Sequence, residues 1–232
     1  MKKLLLLSSS KIYGSGYLEY CKDEVKEFLK DISEIVFIPY AIHDGEKYVP
    51  DVEKAFSELG KKIIFLHRSK DPRKTISQAK AIFIGGGNTF RLLQRLYKED
   101  LVELIKKRVD SGILYMGASA GSNVASPSIS TTNDMPIVFP PSFKALSIFP
   151  YQINPHYIDA DLNSKHMGET RAMRINEFHE ENSTPVIGLR EGSWLKVTDE
   201  KIFLGGNSGA VIFQKNKPPL SIKKGVLHRI SP

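Results

Sequence analysis

Cysteine is nearly absent from the sequence, because Cys21 is the only one among its 232 residues. A single thiol cannot form a disulfide within the chain, and it cannot supply the several thiolates of a cysteine-based metal site. No cluster of other metal-ligating residues is apparent either. We therefore expect an activity that needs neither a metal ion nor any other cofactor.

Long apolar runs are also absent. The longest near the N-terminus is Leu4 to Leu7, and three serines follow it at once. This run is too short for the core of a signal peptide, and no stretch approaches the roughly 20 apolar residues that span a bilayer. We therefore expect a cytoplasmic protein without a membrane partner.

Runs of like charge are short, although the formal net charge is +7. The densest basic cluster, Lys106-Lys107-Arg108, lies on a predicted helix, and no run of five like charges indicates a nucleic-acid tail. The spread of charge favours a solvated basic surface, or a positive cleft that attracts acidic substrates. With 41% hydrophobic and 25% charged residues, the composition is that of a globular protein. We expect one domain over residues 1–232, as a monomer or a homodimer.

Short apolar segments alternate with amphipathic ones over the first half of the chain. The run Ile35-Val36-Phe37-Ile38 is continuous, which is typical of a strand covered on both faces. Strands are predicted over residues 3–8, 34–39, 62–66, 81–84 and 113–116, and helices over 17–29, 52–59, 72–79, 89–96 and 101–109. This alternation predicts an α/β fold with three layers, α/β/α, and a mostly parallel sheet, of the flavodoxin-like or class I amidotransferase-like kind.

The pattern changes after about residue 125. Residues 126–143 are rich in proline, serine, threonine and asparagine, which predicts a long loop, and such loops inside compact domains usually have a function. A helix is predicted over residues 169–180. Short strands and hairpins are predicted over 186–189, 194–197, 201–204 and 210–213.

The strongest chemical signal is the segment Gly117-Ala118-Ser119-Ala120-Gly121. It has the G-x-S-x-G pattern of a nucleophile elbow, and it follows a predicted strand, as that motif requires. The sharp turn exposes a serine in a strained backbone conformation, and the next amide, that of Ala120, points where an oxyanion would form. The pattern predicts Ser119 as a nucleophile. The alternative is a turn of small residues that only packs a helix on the sheet.

A second glycine turn, Gly85-Gly86-Gly87-Asn88, ends the fourth predicted strand. It could cradle a phosphate at a helix N-terminus, or it could supply further oxyanion-hole amides. The dinucleotide pattern fails because position 90 is Phe90, and the P-loop pattern fails as well. Because neighbouring parallel strands share a crevice at their carboxyl ends, we favour the oxyanion role. A non-catalytic nucleotide-binding module remains the alternative.

A serine nucleophile needs a base and an acid that orients it. Of the six histidines, His156 is preferred because it follows a proline-rich segment and a short apolar run. The others are read as structural or solvated: His43, His67, His166, His179 and His228. Two acids stay open, Asp134 in the long loop and Glu191 at a strand end. We prefer Glu191 slightly, because a strand end holds a side chain more rigidly.

Several segments together resemble the peptidase E family of α-aspartyl dipeptidases, in family order and over almost the whole chain. They are Gly85-Gly86-Gly87-Asn88-Thr89-Phe90, Gly117 to Gly121, Thr131-Thr132-Asn133-Asp134-Met135-Pro136-Ile137, Gln152-Ile153-Asn154-Pro155-His156, Gly168-Glu169-Thr170-Arg171 and Gly188-Leu189-Arg190-Glu191-Gly192. The resemblance implies a serine peptidase that cleaves small peptides with an N-terminal L-aspartate.

The resemblance also implies roles for single residues. Ser119 would attack, His156 would be the general base and then the acid, and Glu191 would orient His156. The amides of Gly87 and Ala120 would form the oxyanion hole.

Substrate recognition is implied for three further residues. Arg171 would grip the aspartate side chain, since arginine binds carboxylates bidentately, and Arg174 is the second choice. Asn88 and Asp134 would lie near the site and support its geometry or bind substrate. Ala118 stands where many relatives carry an aromatic residue, which would change the pocket shape only.

Two other enzyme classes remain as alternatives. A cyanophycinase-like peptidase would cleave β-linked aspartyl-arginine, but such relatives are usually longer. A class I amidotransferase-like glutaminase would need a cysteine where this chain has Ser119.

Overall fold

The computed structural model describes residues 2–161, 163, 165, 167–199, 201–228 and 230. Within them the strands are β1 Lys3–Leu7, β2 Glu34–Ile38, β3 Lys62–Phe65, β4 Ala81–Ile84, β5 Leu114–Ala118, β6 Gln152–Tyr157, β7 Val186–Arg190, β8 Ser193–Thr198, β9 Lys201–Gly206, β10 Ala210–Phe213, β11 Leu220–Ile222 and β12 Gly225–Leu227. The α-helices are α1 Lys22–Phe28, α2 Val49–Ser57, α3 Pro72–Gln78, α4 Thr89–Lys98, α5 Val102–Asp110, α6 Ala120–Asn123 and α7 Arg171–Glu181.

The main sheet has eight strands in the order β12-β9-β8-β1-β5-β4-β2-β3. Strands β1 to β5 are mutually parallel, and the sheet is extended by antiparallel pairs, of β8 with β1, of β9 with β8 and of β12 with β9. The α/β prediction is confirmed, and the five strands predicted in the first half are all present. The sheet is mixed because the tail of the chain adds antiparallel strands to it.

Side chains point alternately to the two faces of the main sheet, and helices cover both faces. Leu5 and Leu7 of β1 pack with Val25 of α1 and Phe56 of α2. Leu4 and its neighbours on the other face belong to a larger cluster that includes helices α3 to α6. Strands buried on both faces explain the continuous apolar runs of the sequence.

A second sheet of four strands, in the order β11-β10-β7-β6, was not anticipated. Ile187 and Ile212 on one face join the large core cluster. Phe213 on the other face packs with Ile175 of α7. Strands over 186–189 and 210–213 were predicted, but their grouping in a separate sheet was not.

One segment differs from its predicted element, and another agrees with it. The helix predicted over 17–29 forms only from Lys22, because Leu18 has a left-handed φ of 56° and a 3-10 turn occupies Glu19–Cys21. The loop predicted over 126–143 is confirmed, since this fully described segment contains no helix and only one isolated bridge, from Ser128 to Lys144. No helix among the described residues is long and apolar enough to cross a bilayer.

Candidate active site

Ser119 lies on the sharp turn between β5 and α6, with φ 53° and ψ −111°. The glycines on either side allow this turn. A Cβ on Gly117 would lie 2.4 Å from the carbonyl oxygen of Gly121, and one on Gly121 would lie 2.1 Å from that of Ile84. The Ser119 N–H donates to the Leu7 carbonyl at 3.0 Å, so the elbow is fixed to the end of β1.

His156 lies on β6 at an irregularity in its pairing with β7, between Pro155 and Tyr157. Its φ is 51°, in the left-handed region. Bulges of this kind turn a side chain away from the regular alternation and are common beside active sites. Here the bulge turns the imidazole toward the end of β5.

Glu191 occupies the turn between β7 and β8. Its Oε1 lies 2.5 Å from Nδ1 of His156, and Nε2 of the same ring lies 2.9 Å from Oγ of Ser119. The three side chains therefore form one hydrogen-bonded chain. The His156 side chain is 39% exposed and that of Glu191 is 52% exposed, so a small substrate can reach them.

The glycine turn after β4 lies against Ser119. A Cβ on Gly86 would be 3.1 Å from Cβ of Ser119, and the Tyr48 hydroxyl donates to the Gly86 carbonyl at 2.9 Å. Gly87 has a φ of 124° and is exposed. Neither the Gly87 nor the Ala120 amide donates a hydrogen bond to a described residue, which leaves both N–H groups available to an oxyanion.

Asp134 and Asn88 hold the long loop on the N-terminus of α4. Asp134 Oδ2 accepts from the Thr89 N–H at 2.7 Å and from the Thr132 hydroxyl at 3.1 Å. Asn88 caps α4 through Arg91 N–H at 3.1 Å, and its amide donates to the Met135 carbonyl at 2.9 Å. No hydrogen bond joins Asp134 to His156, both of which are described, so Glu191 is the acid that contacts the imidazole.

A cavity of about 240 Å³ opens beside Ser119. Its lining consists of Thr89, Ser119, Thr132, Asn133, Asp134, Pro155, His156 and Arg171. Arg171 is the first residue of α7, and it makes no hydrogen bond or ion pair with a described residue. Burial, and then the charge of Arg174, lower the pKa of the Arg171 guanidinium, while Asp134 acts in the opposite direction.

The remaining histidines that the structure describes lie outside this cavity. His67 contacts Glu46 at 2.8 Å, and His179 contacts the Thr184 carbonyl at 3.1 Å. His166 lies outside the described residues. Among those residues, no group of three or more His, Cys, Asp or Glu side chains is placed to hold a metal ion.

Sequence reasoning missed several contributors to the site. The cavity is also lined by Thr89, Thr132 and Asn133. These residues belong to the segments that resemble the family, but no role was predicted for any of them. Ser8 was predicted only as the last residue of the first strand. Its contact with His156 joins residues that are 148 positions apart, and no local pattern in the sequence reveals it.

The chain is similar to proteins of known family. The sequence model of peptidase family S51 matches residues 4–205. A peptidase E of Streptomyces coelicolor is 49% identical over 222 residues, covering 96% of this chain and 91% of that protein. A protein of Drosophila melanogaster named probable alpha-aspartyl dipeptidase is 44% identical over 216 residues, covering 92% and 90%. A peptidase E of Haemophilus influenzae is 48% identical over 202 residues, covering 85% and 92%.

Two solved structures share the fold. A peptidase from an acI-B1 actinobacterium superposes with a TM-score of 0.72 at 18% identity, covering 98% of this chain and 96% of that one. A putative peptidase E of Listeria monocytogenes superposes with a TM-score of 0.66 at 24% identity, covering 90% and 100%. At these identities the superpositions establish the α/β fold alone, whereas the match over residues 4–205 and the much closer relatives establish descent. The chain belongs to peptidase family S51.

Proposed function

We propose that this chain hydrolyses dipeptides with an N-terminal L-aspartate, through an acyl-enzyme formed on Ser119. The observation that carries the proposal is the hydrogen-bonded chain from Glu191 through His156 to Ser119, with contacts of 2.5 and 2.9 Å. The name of the Drosophila relative points to the same substrate class. We also propose a cytoplasmic location, where the free thiol of Cys21 would stay reduced.

Acylation follows from the order of these contacts. Oγ of Ser119 attacks the carbonyl carbon of the scissile bond while its proton passes to Nε2 of His156. The Glu191 carboxylate accepts a hydrogen bond from the Nδ1–H of the resulting imidazolium. The amides of Gly87 and Ala120 donate to the oxyanion. His156 then gives its proton to the leaving amine as the C–N bond breaks.

Deacylation repeats these steps with water. His156 takes a proton from a water molecule, whose oxygen attacks the ester carbonyl of the acyl-enzyme. The ester bond breaks and Ser119 regains its proton from His156. The products are free aspartate and the second amino acid.

Specificity for aspartate is assigned to the charges that line the cavity. An N-terminal aspartyl residue carries a carboxylate on its side chain and an ammonium group at its α-carbon. Arg171 and Asp134 supply one cation and one carboxylate to the cavity beside Ser119. Because Arg171 is half buried and has no ion-pair partner among the described residues, it can bind a carboxylate bidentately without first losing a protein partner. Asn88 stays near the site as part of the loop support.

The test is hydrolysis of Asp-Leu beside Glu-Leu, Asn-Leu and β-Asp-Leu, with wild-type and Ser119→Ala protein. We expect Asp-Leu to be cleaved far faster than the other three, and the mutant to have lost that activity. Cleavage of β-Asp-Leu in preference to Asp-Leu would replace the proposal with a cyanophycinase-like activity. Saturable nucleotide binding without hydrolysis of any of the four peptides would replace it with a binding module.

A further inference from the structure

Ser8 is the first residue after β1, and its side chain is fully buried. Its Oγ accepts a hydrogen bond from the backbone N–H of His156 at 2.9 Å and donates one to the carbonyl of Leu189 at 2.7 Å. Its own N–H donates to the carbonyl of Ser193 at 3.0 Å. One small residue of the main sheet thus contacts both strands that bracket Glu191, and the backbone of His156 itself.

The adjacent residue, Leu7, holds the nucleophile. Its carbonyl accepts from the Ser119 N–H at 3.0 Å and from the Ser122 hydroxyl at 2.7 Å. Two consecutive residues at the end of β1 therefore bind the two partners of the proton transfer. Leu7 fixes the nucleophile, and Ser8 fixes the base.

The contact with His156 matters because the backbone there is strained. A left-handed φ in a residue other than glycine is costly and persists only when its surroundings hold it. A bulge also leaves the extra residue without a ladder partner. Ser8 Oγ accepts the N–H of His156 at this point, at 2.9 Å.

We propose that Ser8 is a positioning residue for the reaction at Ser119. Its hydroxyl holds the bulge of β6 and the end of β7 at the distance from β5 that the hydrogen-bonded chain of Ser119, His156 and Glu191 requires. The inference rests on the proposed function, because it assigns a part in that same reaction. Arg171 and Asp134 lie on other elements, so Ser8 acts on turnover and not on substrate binding.

Ser126 offers a matched control. It is also a fully buried serine, and its Oγ accepts a backbone N–H from the same strand, that of Ile153 at 3.1 Å. That contact lies three residues before His156, outside the bulge. Ser126→Ala therefore removes the same kind of bond from the same strand without touching the base.

The experiment compares Ser8→Ala, Ser8→Cys and Ser126→Ala with wild type, by kcat and KM for Asp-Leu and by thermal melting. A displacement of the base by about 1 Å costs on the order of 100-fold in rate, so Ser8→Ala should lose about 10- to 100-fold in kcat with KM changed less than about threefold. In Ser126→Ala the melting temperature should fall by about as much as in Ser8→Ala, but kcat should fall by less than about threefold. Ser8→Cys, which keeps the size but accepts hydrogen bonds weakly, should have an intermediate kcat.

A second readout separates this inference from the substrate assignment. The rate at which a fluorophosphonate labels Ser119 depends on the same serine and base, but not on aspartyl specificity. If wild type fails to cleave Asp-Leu, the proposed function fails, and slower labelling of Ser8→Ala than of Ser126→Ala still supports the positioning role. Equal kcat and equal labelling rates in Ser8→Ala and Ser126→Ala would overturn it. Should Ser8→Ala not fold, wild-type kcat and labelling in Ser8→Cys would overturn it as well.

Discussion

The two sheets contribute to the site in different ways. The main sheet presents Ser119 from a turn whose backbone is fixed by contacts too close for any residue but glycine. The second sheet presents His156 from a bulge. Glu191 lies in the turn from β7 of the second sheet to β8 of the main sheet, and 52% of its side chain is exposed. Ser119 is thus held by close backbone packing, while His156 and Glu191 are held by a few hydrogen bonds. Substitutions on the two sheets should therefore have different effects on activity and stability.

The largest effect is expected at the main-sheet side of the site. Ser119→Ala removes the atom that forms the acyl-enzyme, and kcat for Asp-Leu should fall by about 10⁴- to 10⁶-fold, as in other serine triads. Circular dichroism and melting temperature should match wild type, because among the described residues the Ser119 hydroxyl has a hydrogen bond only with His156. A loss of less than tenfold would contradict the assignment of the nucleophile.

Substitutions of Glu191 and of Asp134 should have clearly different effects on kcat and KM. Glu191→Gln leaves the imidazole without its anionic partner, so kcat should fall by about 10²- to 10⁴-fold. Asp134→Asn should instead raise KM, because the cavity loses its carboxylate. It should also destabilise the fold by about 1 kcal/mol, because the N-terminus of α4 loses a charged acceptor.

Steady-state kinetics and urea unfolding of both variants decide between the two acids. Equal kcat losses in Glu191→Gln and Asp134→Asn would show that the loop acid shares the orienting role.

A smaller effect is expected at the start of α7, which covers the second sheet. Arg171→Met should lower kcat/KM for Asp-Leu by about 100-fold, since a charged hydrogen-bonded pair is lost. The residual rate on Asn-Leu should change by less than about threefold, because its side chain needs no cation. Arg174→Met is the control. In the wild-type protein, Nε of Arg174 lies 3.4 Å from Oε2 of Glu169. Equal losses on Asp-Leu and Asn-Leu would argue against the assignment of Arg171.

The smallest effect concerns the helical layer remote from the site. Burial raises the pKa of the Cys21 thiol to about 12, so the native protein should hold no appreciable thiolate at pH 8. Labelling with a thiol reagent should be at least about 100-fold slower in the native protein than in denaturant. Ser8→Ala should leave the native labelling rate unchanged if its damage is confined to the second sheet. Fast labelling of native wild type would show that the main-sheet side opens readily.

The contrast between the two sheets also explains which parts of the fold could be predicted from the sequence. Strands β1 to β5 appear as continuous apolar runs, and the elbow appears as two glycines around a serine, because both depend on neighbours in the chain. Strand β6 gives no such signal, since Asn154 and Pro155 interrupt its apolar pattern. The pairing of β6 with β7, and with it the second sheet, depends on contacts between distant segments.

The acid shows the limit most clearly. A strand end favoured Glu191 over Asp134 only slightly, and the family resemblance made the choice. In the structure, Asp134 accepts from the Thr89 N–H while Glu191 lies 2.5 Å from His156. Which carboxylate meets the imidazole depends on how the two sheets pack, and the sequence does not encode that packing locally.

A double-mutant cycle tests most directly the claim that residues from the two sheets act as one catalytic unit. It measures kcat for Asp-Leu in Ser119→Ala, His156→Ala and the double variant. If Ser119 and His156 act together, either single change should remove nearly all the catalysis, and the double variant should be within about threefold of Ser119→Ala. A further loss in the double variant as large as that of His156→Ala alone would show that His156 acts independently of Ser119, and would contradict the account.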